Sequence, residues 1–315
     1  MQRKKASSHN KVRTLFILSL ISYPLILFLI FYVFVNLNSI RMAFFNVKLD
    51  GTWEFAYFDN FITFIKGLTE TGNVIGMSMY NSIRMYLINL VICMPLYLIF
   101  SYMLFKQCFM HKAIRIVVML PQIISGFVIC MLFVNFISGP DAPLSMLFSH
   151  LKIFIDDKSG MPIDLLYNEK TAFATTIFYG IWISFGTSLI VYPNAMKEIS
   201  SEVIESAQLD GVSNMFQEMF YIILPLIFPT LSTFLITGLA GIFTEAGTIL
   251  AFYETNAPDY VHNMGYYYAK LVKNANETTY PMLAAGGLLM TLIVAPVVIL
   301  VRHLLEKYGP STEVQ

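Results

Sequence analysis

The stretch EISSEVIESAQLDGVSNMFQEMFYIILPLIFP, Glu198 to Pro229, starts polar and ends apolar. Ser201 is a good N-cap, and Glu202 and Glu205 put carboxylates near the positive end of the helix dipole. The spacing predicts a helix of about nine residues ending at Asp210, with Gly211 as the C′ residue, where left-handed backbone angles are wanted. Asn214, with Gln217 three residues on, makes a capping-box-like start for a second helix. Leu224-Pro225 then leads into a long apolar run, and the small Ala207 lets its face approach another surface closely. Two readings stand on these residues: a short surface helix joining two spans, or a rigid docking element that passes force to a partner.

Working outward, the chain is 315 residues long, 57% hydrophobic and 13% charged. Soluble domains carry about 25% charged residues, so this composition is that of an integral membrane protein. Lys+Arg and Asp+Glu are both 20, which leaves no net field to recruit nucleic acid. The three cysteines, Cys93, Cys108 and Cys130, imply no disulfide framework, and no metal-ligand spacing is present. No catalytic residue and no metal ligand set is expected.

A helical crossing needs about 20 mostly apolar residues. Six such windows are read: Leu15–Val35, Ile83–Phe105, Ile116–Ile137, Ala172–Tyr192, Ile222–Phe243 and Met282–Val301. The first is too long for a signal-peptide h-region and reads as an uncleaved span. Pro95, Gly126, Gly186 and Gly238 lie inside windows, where neighbouring helices can satisfy the freed backbone groups. Arg3, Lys4, Lys5, Lys11 and Arg13 precede the first window, and per residue the Lys/Arg bias places both termini inside. The expectation is an all-α protein of six transmembrane helices, N-in and C-in, forming one transmembrane domain over 1–315. The opening stretch then lies in the cytoplasm. Turn clusters at 138–141 and 256–259 mark small structured outer loops.

The set Glu205-Ser206-Ala207, Asp210-Gly211 and Ile223-Leu224-Pro225 resembles the EAA loop of permease subunits in binding-protein-dependent ABC importers. Here that loop occupies about 197–225. Ser206 replaces the middle residue of the family's EAA. Ten residues, not the family's nine, separate Gly211 from Ile222, which leaves the register of the second short helix open. Elsewhere Phe55–Phe61 resembles the family's FVGLENY segment, and Asn81-Ser82 its NT. Arg115 with Leu120-Pro121, then Thr171-Ala172 with Trp182 and Gly186, and Gly241-Ile242-Phe243 fall in the family's order. Tyr192-Pro193-Asn194 departs from its usual small apolar run. The likeness is to the sugar-permease branch, of the maltose and glycerol-phosphate permease type.

The resemblance implies an importer type I permease in the cell membrane. It implies pairing with a second, usually different permease and docking of the EAA loop on two cytoplasmic ATPase subunits. An extracytoplasmic solute-binding protein would deliver the substrate. Glu205, Ser206, Ala207, Asp210, Gly211, Leu224 and Pro225 would carry the coupling. The chain has no G-x-x-x-x-G-K-[ST] loop, so no cofactor is expected on it, and ATP would be used by the partner ATPases.

For substrate, Glu245 is the one ionisable candidate within a span, flanked by Gly241 and Gly247. On a straight helix from Ile222 it would stand about 34 Å up, at the outer edge of the membrane core. It is thus open as either a path or an interfacial residue. Phe243, Tyr253, Asn89 and Trp182 are further sugar-contact candidates, each weighed against ordinary membrane packing. Arg84 is read as snorkelling outward, and Asn276-Glu277-Thr278 as a chance sequon. A permease for a non-sugar solute and an ion-coupled secondary transporter are the rivals. A membrane enzyme or sensor is a more distant one.

Overall fold

A computed structural model describes residues 2–48, 50–70, 73–139, 141–156, 160–274 and 278–310. The side chains of residues 2–13 lie outside the described residues, as do Pro140 of the 138–141 turn and Asn276 and Glu277 of the sequon. In chain order the elements are α1 (2–43), β1 (Phe45–Val47), β2 (Trp53–Phe55), α2 (Asp59–Thr69) and α3 (Val74–Phe105). Next come α4 (His111–Ile123), α5 (Gly126–Ile137), α6 (Pro143–Leu151), α7 (Ala172–Lys197) and α8 (Ser201–Leu209). The chain ends with α9 (Met215–Leu226), α10 (Phe228–Ala240), α11 (Gly247–Tyr253), α12 (Met264–Asn274) and α13 (Tyr280–Tyr308).

Helices α1, α3, α7 and α13 are each long and apolar enough to cross a membrane. They contain the first, second, fourth and sixth expected windows. The third and fifth are not the straight spans expected. The third is bent by 103° between α4 and α5, and the fifth by 72° between α9 and α10. Counting each bent pair as one span gives six crossings.

The bends have backbone causes. Pro121 removes an N–H within α4, and Ile124 and Ser125 then leave the helical region at ψ 144° and 130°. Gly126 opens α5 behind Ser125, whose carbonyl accepts from Ile129 N at 3.0 Å. In the fifth span, Pro225 and Pro229 flank Ile227, which sits at φ −90°, ψ 7°. Neither proline can donate to the turn before it, so the helix loses ladder bonds on both sides of one residue. Broken backbone at membrane depth must be covered by protein or face water.

The chain divides into two units, Met1–Lys66 with Ala275–Thr291, and Gly67–Asn274 with Leu292–Gln315. In the first, α1 exposes apolar side chains along its membrane-length window. A short antiparallel hairpin follows, pairing Phe45 with Phe55, Asn46 with Glu54 and Val47 with Trp53. The Asn60 amide donates to the carbonyls of Ala43 and Phe45, at 3.2 and 3.1 Å, and ties α2 to the helix–hairpin junction.

In the second unit, α7 runs past two cores. Its beginning, at Ala172 and Tyr179, packs with Cys130, Ile249, Phe252 and Tyr253. Its end, at Tyr192 and Met196, packs with Cys93, Tyr97, Tyr102, Met219 and Ile223. Between them Gln122 crosses from α4, donating to Ile183 O at 2.6 Å and accepting from Thr187 Oγ1 at 3.1 Å. Gly186 makes room for it: a Cβ there would lie 2.4 Å from Gln122 Cγ. In the first turns of α3, the Asn81 amide donates to Tyr260 O and His262 O, and Ser82 Oγ accepts from Met264 N. Arg84, expected to snorkel outward, places its guanidinium 4.2 Å from the Phe173 ring centroid.

Candidate functional site

Helix α8 runs between Ser200 and Gly211 and is closed by its own residues at the C-terminal end. The N-cap is Ser200, in extended backbone, one residue before the Ser201 expected. At the other end Gly211 takes φ +101°. Its N–H donates to Gln208 O at 3.2 Å, and Val212 N donates to Ala207 O at 3.0 Å. These two bonds are a Schellman closure, which satisfies carbonyls the last turn would otherwise leave open. Asn214 then caps α9, its side chain accepting from Phe216 N at 3.0 Å. Gln217 reaches back to Ser213 N at 3.3 Å, one residue before the cap.

The faces of α8 divide the expected coupling residues. Ala207 is buried, and Ile204 is half-buried against the core built from α3, α7 and α9–α10. Glu205, Ser206, Asp210 and Gly211 are exposed. Leu209, which the sequence reading passed over, is 90% exposed, an apolar knob at the free end of the helix. Pro225 and Leu224 lie at the end of α9, before the bend.

Helix α9 is not α-helical throughout. Glu218–Ile223 form a π-helical turn. A π turn closes i→i+5 and so holds one residue more than the α turn it interrupts. A turn of that kind can hold the extra residue between Gly211 and Ile222. Glu218, the first residue of that turn, is buried, and Lys106 Nζ stands 2.5 Å from its Oε1. Lys106 is the C-cap of α3, and the Tyr102 hydroxyl lies beside the same carboxylate. This ion pair joins the segment after α8 to the end of the second span. It too was missed, although a lone carboxylate at the head of an apolar run was its signal.

The substrate candidates are only partly brought together. Tyr253 is buried, with its hydroxyl donating to Leu166 O at 2.6 Å. Trp182 lies 6.0 Å from both Phe133 and Tyr179, and Tyr179 meets Phe252 beside Tyr253. Phe243 is buried and Glu245 exposed in the non-helical turn between α10 and α11. The straight climb from Ile222 to Glu245 is therefore corrected: the path bends at Ile227, and its helix ends at Ala240. Glu245 Oε1 accepts from Gly247 N at 2.9 Å, at the start of α11. Asn89 opens a second π-helical turn within α3, and among the described residues it shares no hydrogen bond or ring contact with the other four.

Comparison with known proteins places this architecture. The model of the binding-protein-dependent transport system inner membrane component family matches residues 72–309. The alpha-glucoside transport system permease protein AglG of Rhizobium meliloti (strain 1021) is 39% identical over 84 residues, 24% of this chain and 22% of that protein. The probable ABC transporter permease protein YesP of Bacillus subtilis (strain 168) is 33% identical over 110 residues, 35% of this chain and 33% of that protein. The chain thus aligns with a third or less of the length of either relative.

Two solved structures share the fold. A chain of a bacterial alginate ABC transporter, in complex with alginate pentasaccharide-bound periplasmic protein, matches at TM-score 0.77 and 20% identity, over 95% of this chain and 97% of that one. A chain of a bacterial ABC transporter involved in alginate import matches at TM-score 0.74 and 20% identity, over 95% and 98%. The fold is that of an ABC importer permease, mostly helical with one short hairpin, and multi-pass. With a family model covering three-quarters of its length, the chain belongs to the binding-protein-dependent transport system inner membrane components.

Proposed function

We propose that this chain is a permease subunit of an ATP-driven importer for a carbohydrate. Its transmembrane domain would pair with a second permease, and α8 would dock on one of two cytoplasmic ATPase subunits. A solute-binding protein outside would hand over the substrate. One observation carries the coupling role: a Schellman closure stops α8 at Gly211, and its Ile204 packs on a core drawn from three spans. A push on such a helix reaches the spans without being lost in a loose loop. Leu209 and the exposed Glu205 face are the surface offered to the ATPase. Support for carbohydrate comes from the relatives, whose names refer to alpha-glucoside and alginate.

The test is a pull-down from gently solubilised membranes, comparing wild type with Gly211→Pro. Proline cannot adopt φ +101° and removes the N–H that Gln208 O accepts. Wild type should bring down a second permease and an ATPase, and the variant should keep the permease and lose the ATPase. Absence of any ATPase with wild type would overturn the reading and bring an ion-coupled transporter forward. Uptake of labelled sugars through the captured binding protein then tests the cargo.

A further inference from the structure

The hairpin after the first span is amphipathic in a way the importer reading does not use. Phe45, Val47, Trp53 and Phe55 alternate with Asn46, Lys48 and Glu54, so the paired strands carry one aromatic face and one polar face. The polar face is closed by the Lys48–Glu54 ion pair. The other is built of edge-on aromatic contacts, Phe45 to Phe55 at 5.3 Å and Phe55 to Tyr57 at 4.6 Å. Much of it is nevertheless open: Trp53 is 42% and Phe55 54% exposed. An isolated two-stranded hairpin is marginal in water, and exposed aromatics on one face of it call for an apolar cover.

Position in the chain names that cover. The hairpin begins two residues after α1 ends at Ala43. The 28 residues Phe16–Ala43 of α1 rise about 42 Å, against a bilayer of roughly 30 Å core and 40–45 Å with headgroups. With Phe16 at the core boundary and a tilt of about 30°, that rise carries the hairpin about 36 Å along the membrane normal, into the opposite headgroup layer. Asn60 holds it close to the helix end, so it cannot swing away from that level. Arg41, in the last turn of α1, lies 5.1 Å from the Trp53 ring and 5.8 Å from that of Phe45. A guanidinium among Trp, Phe and Tyr is the residue mixture of a membrane interface, where rings reach the acyl boundary and cations meet lipid phosphates.

We propose that the hairpin Phe45–Phe55 is a lipid-interface anchor: its aromatic face seats in the headgroup layer of the leaflet where α1 emerges, with Arg41 beside the lipid phosphates. It would fix the depth of the first span, whose membrane-length window is unpacked in the single chain.

The chain has two tryptophans, so Trp182→Phe leaves Trp53 as the sole indole reporter. The full-length variant is reconstituted in phosphatidylcholine vesicles whose acyl chains carry bromine at a shallow or a deep position. Trp53 emission should be blue-shifted and quenched at least about twofold more by shallow than by deep bromine, with aqueous acrylamide the weaker quencher. Full access to acrylamide with no bromine quenching overturns the proposal and assigns the face to a soluble partner, protein or saccharide. Quenching mainly by deep bromine also overturns it, because the hairpin would then lie inside the core. Should Trp182→Phe fail to fold, the emission difference between wild type and Trp53→Phe reads the same indole.

Discussion

At Gly211 and Glu218 the chemistry of one residue decides what an element can do. Gly211 sits at φ +101°, and a Cβ added there would meet no atom within 4 Å, so the cost of any other residue is conformational and not steric. Gly211→Ala should therefore lose about 1–3 kcal/mol locally, enough to fray α8 without unfolding the spans. The expected outcome is normal membrane yield with weaker ATPase capture, measured in the same pull-down. Glu218 is different, since a buried carboxylate is tolerable only while Lys106 faces it. Removing one partner of a fully buried pair costs about 3–5 kcal/mol. Lys106 is about one-third exposed, so the loss should fall below that range. Glu218→Gln and Lys106→Met should each lower thermal stability, and the double variant should recover part of it. A strictly additive double-mutant cycle would show that the pair is not coupled.

Among the elements, the π turn in α9 makes a sharp expectation. It holds one residue more than the α turn it interrupts. Deleting the exposed Tyr221 should convert the turn to α-helix and leave both segments in register. Deleting Thr233 from α10 has no such reserve and should rotate one segment by about 100°. Complex yield after purification checks the contrast: near wild type for the first, and lost for the second.

The loop pinned by Asn81 adds a pH expectation. His262 is buried, its Nε2 3.0 Å from Ala257 O, with Asp259 and Lys270 the charged groups facing it. Burial first, and the Lys270 charge after it, hold the imidazole below its ordinary 6.5. The unfolded chain therefore takes up the proton before the folded one as pH falls. The loop's stability is full above that value and declines below it. Protection of the amides at 260–266, corrected for the intrinsic exchange rate, should fall between about pH 7 and about pH 5 in wild type and change less in His262→Gln.

At the scale of the whole molecule, much of the architecture was legible in one dimension. Twenty-odd apolar residues can hide their backbone in lipid only as helix, so each window announces a crossing before any contact is known. Local closure is equally legible: Gly211 after Asp210 specifies a left-handed stop, because only glycine adopts those angles without strain. Sequence by itself therefore determined the class, the six crossings and the placement of a short capped helix among them. Periodicity could not show that two of those crossings are broken. Pro121 and Pro225 with Pro229 weaken a helix, but only packing decides whether it kinks or carries on.

The same limit hid the Lys106–Glu218 pair, whose members are 112 positions apart and meet only when α9 lies against the end of α3. It also hid the reason for Gly186, since the side chain it accommodates comes from Gln122 on another helix. Local rules fix backbone angles within a few residues, and burial fixes which segments leave water. Which side chains face one another across segments is decided by packing alone, and only the tertiary structure holds that.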